Sequence, residues 1–189
     1  MNNIVPLYRA IHISAFRGDR SRRFLAAFLQ ALRLEKRGLG SGPTILDCLS
    51  YLGHSGVSVD GGKTVYGFSP NGAGVPVWQL FDDLKNGAAY PGVVRSDTAV
   101  FSLMQQRGQA ILSLEIILPD PQFQNFQSAL DAERQTSHYS YGFPNGDGDC
   151  NCITWIERIG LPLLTGRMSE FAGLPGILSM PYRRFGRCV

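Results

Sequence analysis

The sequence predicts an α+β fold, and three observations support this. Of 189 residues, 44% are hydrophobic and 17% are charged, which is the composition of a globular chain with a packed core. The 22 glycines and 11 prolines indicate many turns, and this favours strands joined by loops over a helical bundle. Apolar residues recur at helical spacing in some segments and form short β-rich runs in others.

The first forty residues are more basic than the rest of the chain. Residues 1–40 carry eight basic and two acidic side chains, whereas residues 41–150 carry five basic and eleven acidic ones. The net charge of +3 is too small to indicate a nucleic-acid-binding protein. We therefore predict a basic N-terminal helical arm over residues 1–40 and a globular domain over residues 41–189. The arm presents either a solvated face or a contact surface for an anionic partner.

Residues 21–37 form the clearest predicted helix, because their apolar side chains recur at steps of three and four. Ser21 is a suitable N-cap and Gly38 a suitable stop. The glycine-rich stretch 38–43 then indicates a loop. Residues 44–52 are predicted as a short helix or an extended piece.

The remaining elements alternate between extended and helical patterns. Two glycines follow Asp60 between runs rich in valine and aromatic residues, and this predicts a hairpin turn. Helical spacing predicts helices over 76–85 and 122–134, with a last helix beginning at Cys152. Extended patterns predict strands over 92–95, 98–104, 110–118 and 138–143.

Cys152 is the first candidate for chemistry. It stands where a polar, glycine-rich loop gives way to an amphipathic helix, and Asn151 precedes it. The free amides and the macrodipole of a helix N-terminus favour an anion, so a thiolate there has a lowered pKa. The same amides can stabilise an oxyanion. A buried, unreactive cysteine packed beneath the helix is the structural alternative.

His54 is the second candidate. It opens a predicted strand directly after a glycine, and an imidazole on a strand facing a thiol on a helix is a common arrangement for nucleophilic catalysis. A half-buried structural histidine would give the same pattern. The chain has three histidines, and His138 is the reserve candidate for the base, while His12 lies in the basic arm.

Two segments together resemble permuted papain-like cysteine hydrolases of the NlpC type and the lecithin retinol acyltransferase-like proteins. The segment GHSGVSVDGGKTVYGFSP resembles their histidine hairpin, and YSYGFPNGDGDCNCITWI resembles their tyrosine-bearing strand, loop and cysteine-led helix. Histidine before cysteine is the permuted order. The sequence is also similar to bacterial type VI secretion effectors of the TseH kind. The implied fold is an antiparallel sheet packed against the helix that carries the nucleophilic cysteine, with residues 41–189 as the catalytic domain.

The resemblance assigns the nucleophile to Cys152 and the base to His54. Acyltransferase-like members carry a second histidine on the return strand, and Tyr66 stands at that position here. A tyrosine hydroxyl can hold the imidazole tautomer but carries no charge to stabilise an imidazolium. Other candidates for the orienting residue are Ser69, Asn71 and Asp60, and Cys150 is an alternative nucleophile.

The function implied by the resemblance is cleavage of an amide bond, with a peptidoglycan stem peptide as the first choice of substrate. Protein deamidation, protein cleavage and lipid or protein acyl transfer use the same machinery. A non-catalytic binding module is the alternative of a different class. No cofactor or metal is expected, because Cys150 and Cys152 are separated by one residue and lack the spacing of a zinc site.

The chain shows neither a secretory signal pattern nor an apolar stretch long enough to cross a bilayer. We expect an effector that is secreted without a cleavable signal peptide and acts in a target cell, with the periplasm as a candidate compartment. An immunity protein and the secretion apparatus are the expected protein partners.

Overall fold

The computed structural model describes residues 7–19, 21–142 and 150–159. It confirms the α+β class, with six strands in one antiparallel sheet and six helices in this part of the chain. The elements in chain order are β1 (Tyr8–Arg17), α1 (Arg22–Lys36), α2 (Ile45–Leu52), β2 (Gly53–Ser58), β3 (Tyr66–Pro70), α3 (Val77–Lys85), β4 (Tyr90–Ser96), α4 (Thr98–Gln106), β5 (Ile111–Pro119), α5 (Asp120–Gln135), β6 (Ser140–Tyr141) and α6 (Cys152–Arg158).

The strands lie in the order β5-β1-β2-β3-β4-β6, and every neighbouring pair is antiparallel. The predicted hairpin is confirmed as β2 and β3, with Gly61 and Gly62 both at positive φ in the connecting turn. The pairing of β2 with β3 covers only Gly56↔Gly67 and Val57↔Tyr66. The pairing of β2 with β1 is longer and continues through His54. The hairpin is therefore closed at its turn and open toward His54.

The predicted division of the chain at residue 40 does not match a division in the sheet. Residues 8–17 form β1, which lies between β5 and β2, and only residues 22–36 of the predicted arm are helical. The basic side chains of residues 1–40 are divided between a strand and a helix, so their high number does not mark a separate helical arm. Ile11 and Ile13, which alternate along β1 and are fully buried, are the signal of a strand.

The predicted helix over 21–37 is confirmed as α1. The Ser21 hydroxyl accepts a hydrogen bond from the Phe24 amide, as an N-cap residue does, and Gly38 has a φ of +66° just beyond the last turn. The buried residues of α1 are Phe28 and Leu32, which cluster with Cys48 of α2. This cluster packs α1 against α2 and α3. Helix α2 in turn leads directly into β2 and His54.

One predicted strand is wrong. Residues 98–104 lie in the helix α4, whose inward residues Phe101 and Met104 are three positions apart. The valine and phenylalanine in this run favour a strand locally. Packing of Phe101 and Met104 against Phe16 of β1 favours the helix, and tertiary contacts override the local preference. The predicted helices at 76–85 and 122–134 are confirmed as α3 and α5.

The sheet has two buried faces, which we call the α6 face and the α4 face. The α6 face carries the main core, in which Ile11, Ile13 and Ala15 of β1 meet Trp155 and Ile156 of α6. The α4 face carries a smaller core of Phe16, Leu49, Val65, Phe101 and Met104. Because side chains alternate along a strand, each β2 residue belongs to one of these faces. No helix in the described ranges is long and apolar enough to cross a membrane.

Candidate active site

His54 lies on the α4 face at the beginning of β2. Helix α2 ends at Gly53, whose φ of +85° is a conformation that glycine adopts readily, and the chain then turns directly into the strand. The imidazole is 1% exposed, and its ring centroid lies 6.2 Å from that of Phe16 and 6.0 Å from that of Phe101. The apolar walls restrict water around the ring and fix its orientation.

Asp97 is the polar partner of His54. The Asp97 Oδ2 lies 2.7 Å from the His54 Nε2, and both side chains are buried. Asp97 occupies the N-cap position of α4, where aspartate commonly bonds a helix amide, but here it makes no side-chain cap bond. Its backbone amide donates to the Val65 carbonyl, which ties it to the hairpin. The Asp97 carboxylate therefore bonds the His54 imidazole and does not cap α4.

Gly67 leaves the space in which Asp97 and His54 meet. A Cβ at this position would collide with the Asp97 carboxylate and with the His54 Nε2. Gly67 pairs with Gly56 and faces the same side of the sheet as His54. A residue without a side chain is thus required on β3 for this ion pair to form.

Cys152 is the first residue of α6, and Asn151 caps that helix. The Asn151 Oδ1 accepts hydrogen bonds from the amides of Ile153 at 2.9 Å and Thr154 at 3.0 Å. The Asn151 amide in turn donates to the Thr154 hydroxyl at 2.9 Å, which completes a capping box. The cap fixes where α6 begins and therefore fixes the position of Cys152 in the chain's turn into the helix.

The structure brings Cys152 and His54 together. Helix α6 packs on β2 and β3. Cys152 is 8% exposed and lies close enough to His54 for each group to shift the pKa of the other. Asp97 bonds the His54 Nε2, whereas Nδ1 is buried and has no hydrogen-bond partner among the described residues. The carboxylate, the imidazole and the thiol are therefore neighbours in the structure.

The pKa values of the two groups move in the directions that favour an ion pair. Burial lowers the pKa of His54, but the hydrogen bond of Asp97 and the neighbouring Cys152 outweigh burial and raise it from 6.5 to about 10. Burial raises the pKa of Cys152, but the neighbouring His54, with its charge, and Ser55 outweigh burial and lower the pKa below 9.0. Both shifts favour a thiolate beside an imidazolium.

This arrangement contains the groups that nucleophilic acyl chemistry requires. A thiolate is the reactive form of cysteine, and an imidazolium beside it can deliver a proton to a leaving group. The carboxylate at the far nitrogen fixes the tautomer and stabilises the positive charge.

Tyr66, which was predicted as the orienting residue, lies on the other side of the sheet. It neighbours Gly67 in β3, so its side chain lies on the α6 face of the sheet. The Arg134 guanidinium lies 4.2 Å from the centroid of its ring. Asp97 takes the position expected for Tyr66, and unlike a tyrosine it carries a charge that stabilises an imidazolium.

The other predicted candidates form no hydrogen bond with Nε2 in the described part of the chain. Asp60 holds the hairpin turn, accepting from the Ser58 hydroxyl at 2.7 Å and the Thr64 amide at 2.9 Å. Ser69 and Asn71 lie at and just beyond the end of β3, and the Asn71 amide donates to the Pro91 carbonyl. In the described ranges, no bond joins Asp60, Ser69 or Asn71 to the imidazole of His54.

The reserve base and the alternative nucleophile have other contacts. The His138 Nδ1 lies 2.8 Å from the Glu133 Oε1, and 66% of the His138 side chain is exposed. The Cys150 backbone bonds Ser140 and Gly142, which positions the chain ahead of α6. Cys188 and the predicted loop over residues 144–149 lie outside the described residues.

Sequence reasoning missed Asp97 and Ser55. Asp97 stands 43 positions after His54, and only the pairing of β3 with β4 brings it back. An aspartate followed by threonine before an apolar run is an N-cap signal, but the strand predicted over 98–104 hid it. Ser55 lies inside the histidine hairpin, and nothing in its spacing distinguishes it from the other serines there.

The chain matches no protein-family model, no curated protein and no solved structure.

Proposed function

We propose that this protein is a cysteine hydrolase that cleaves amide bonds, with a permuted papain-like arrangement of the sheet and α6. The observation that carries the proposal is the buried cluster of three neighbouring side chains, Asp97, His54 and Cys152. A buried carboxylate 2.7 Å from a buried imidazole has a high desolvation cost. A structural role would be served by apolar side chains at lower cost, whereas a nucleophile needs these charges.

The reaction proceeds in two steps. The Cys152 thiolate attacks the carbonyl carbon, a C–S bond forms, and the C=O π pair moves onto the oxygen. When this intermediate collapses, the C–N bond breaks and the His54 imidazolium gives its proton to the departing amine. The neutral imidazole then takes a proton from water, the resulting hydroxide attacks the acyl-enzyme, and the thiolate is released. Asp97 holds the imidazole in place throughout.

The substrate we propose is a peptide amide of the target-cell envelope, namely a peptidoglycan stem peptide. The resemblance of the histidine hairpin and the cysteine-led segment to peptidoglycan-cleaving hydrolases supports this choice, and it rests on analogy at the level of the family. Transfer of the acyl group to another amine or alcohol, as in a lipid or protein acyltransferase or a deamidase, would use the same three residues. An effector of this kind would be paired with an immunity protein in the cell that produces it.

Compartment-specific expression tests the proposal. We expect wild-type protein to lyse bacteria when it is directed to the periplasm and to have no such effect in the cytosol. The Cys152→Ala variant should be harmless in both, and Cys48→Ala, which removes another buried thiol, should lyse cells like the wild type. Purified wild-type protein should release new amino groups from isolated sacculi, and Cys152→Ala should not.

Lysis by Cys152→Ala at the wild-type level would contradict the assignment and favour a binding module. Toxicity confined to the cytosol, with loss of toxicity in Cys152→Ala, would retain the cysteine enzyme and replace peptidoglycan by a protein or lipid acyl substrate.

A further inference from the structure

The proposed reaction needs donors for the oxyanion that forms on the carbonyl oxygen, and α6 supplies few of them. Free amides at the N-terminus of a helix are the usual source. Here the Asn151 side chain already accepts from the amides of Ile153 and Thr154. The Cys152 amide is the one donor of the first turn that this cap leaves. A second donor must therefore come from another element.

Ser55 is placed to be that second donor. It pairs with Ala15 of β1 and shares its face, and Ala15 packs in the core that contains Trp155 and Ile156 of α6. Its side chain thus points toward α6, whereas the preceding His54 points to the α4 face. Two neighbouring residues of one strand therefore approach Cys152 from the two faces of the sheet.

The Ser55 hydroxyl is buried and unsatisfied. Ser55 is 2% exposed, and its hydroxyl has no hydrogen-bond partner among the described residues. Ser55 nevertheless lies close enough to Cys152 to lower the pKa of the thiol. An unpaired buried hydroxyl is costly, and it is best satisfied where negative charge develops beside it.

We propose that the Ser55 hydroxyl is the second oxyanion donor, acting with the Cys152 amide. The proposal rests on the proposed function. In the resting enzyme the buried hydroxyl lies near the sulfur without a hydrogen-bond partner among the described residues. As the thiolate attacks, its charge passes to the carbonyl oxygen, which is attached to the carbon now bonded to sulfur. Rotation about the Cα–Cβ bond of Ser55 redirects the hydroxyl to this oxygen, and no proton is transferred in the process.

Two reagents that attack the same sulfur separate this role from simple support of the thiolate. Acetylation by p-nitrophenyl acetate passes through an oxyanion, whereas alkylation by iodoacetamide displaces iodide at a saturated carbon and forms none. Both rates are measured at Cys152 by peptide mapping on the same preparation, so their ratio does not depend on the folded fraction. The expected result for Ser55→Ala is an acetylation rate that falls about 100-fold more than the alkylation rate.

Two further variants provide controls. Ser55→Thr keeps the hydroxyl and should keep the wild-type ratio of acetylation to alkylation. Ser14→Ala removes a buried hydroxyl from β1. It should leave the ratio unchanged.

Three results would overturn the proposal. An equal fall of both rates in Ser55→Ala would reduce Ser55 to a stabiliser of the thiolate, and unchanged rates would leave it no role. A Ser55→Thr ratio as low as that of Ser55→Ala would show that the hydroxyl is not the group that matters. Rapid alkylation of wild-type Cys152 without any acetylation would instead contradict the proposed function itself.

Discussion

Cys48 and Cys152 are both buried thiols on helices, yet their environments have opposite effects. Burial, followed by the charges of Asp47 and Glu35, raises the pKa of Cys48 to about 12. Burial also raises the pKa of Cys152, but the neighbouring His54, with its charge, and Ser55 lower it overall. Burial alone makes a thiol inert, and a positively charged neighbour makes a thiol reactive. The difference between the two cysteines thus depends on His54.

Replacing His54 should abolish the difference between the two cysteines, and this is the largest expected effect. In His54→Gln the thiolate loses its counter-charge while burial remains, so the pKa of Cys152 should rise. Alkylation of Cys152 by iodoacetamide at pH 7 should slow by roughly 100-fold or more, toward the rate of Cys48. The measurement is the rate of label incorporation at each cysteine by mass spectrometry. A Cys152 that stays fast without the imidazole would show that another group activates it.

Asp97→Asn should change the upper end of the pH range. Acyl transfer requires thiolate and imidazolium together, so its rate rises through the lowered pKa of Cys152 and falls through the His54 pKa of about 10. An amide in place of the carboxylate weakens the hydrogen bond and removes the charge, both of which raise the pKa of His54. The alkaline fall should therefore move to lower pH, and the maximal rate should drop by about tenfold or more.

The check is the pH dependence of amide cleavage, measured as the release of new amino groups from isolated sacculi, because an amine leaves only when the imidazolium protonates it. An alkaline limb that stays in place in Asp97→Asn would show that the carboxylate does not support the imidazolium.

Gly67→Ala should damage the site, and Gly61→Ala should not. At Gly67 a Cβ collides with Asp97 and His54, so the ion pair must open and turnover should fall about as far as in Asp97→Asn. At Gly61 the Cβ meets open space, but the φ of +75° costs an alanine about 1 kcal/mol. Turnover and thermal unfolding, measured on both variants, separate the two effects. Equal turnover in the two would contradict the placement of Gly67.

Asn151→Ala should have the smallest effect. The variant loses the acceptor for two helix amides, and the free energy of unfolding should fall by about 1 kcal/mol. Because His54 and Ser55 still contact the sulfur, the pKa of Cys152 should change little. Urea unfolding and the pH profile of alkylation measure the two quantities. A stable variant with a strongly raised thiol pKa would indicate that the helix start, and not His54, activates Cys152.

The sequence predicts the fold class and most of the elements because their signals are local. Helical spacing marks α1, α3 and α5, and the glycine pair after Asp60 marks the hairpin. The pattern fails at residues 98–104, where the helix is chosen by packing of Phe101 and Met104 on Phe16. Sequence reasoning also fails to predict β1, because the basic residues Arg9 and Arg17 drew attention away from the alternating apolar residues of the strand.

For the site, the sequence predicts the two reacting residues but not those that support them. Cys152 and His54 stand at a loop–helix and a glycine–strand junction, which are recognisable along the chain. Asp97 is brought to His54 by strand pairing across 43 positions, and no local pattern encodes such a distance. The missing side chain of Gly67 matters only once β2 and β3 are paired.

The most direct test of the central claim is the pH dependence of iodoacetamide labelling in the wild-type protein, followed separately at Cys152 and Cys48. The thiolate–imidazolium pair predicts that labelling of Cys152 rises with an inflection below pH 9, while Cys48 stays unlabelled until the protein unfolds. Labelling of Cys152 that begins only near pH 9 or above, or that does not exceed labelling of Cys48, would contradict the account.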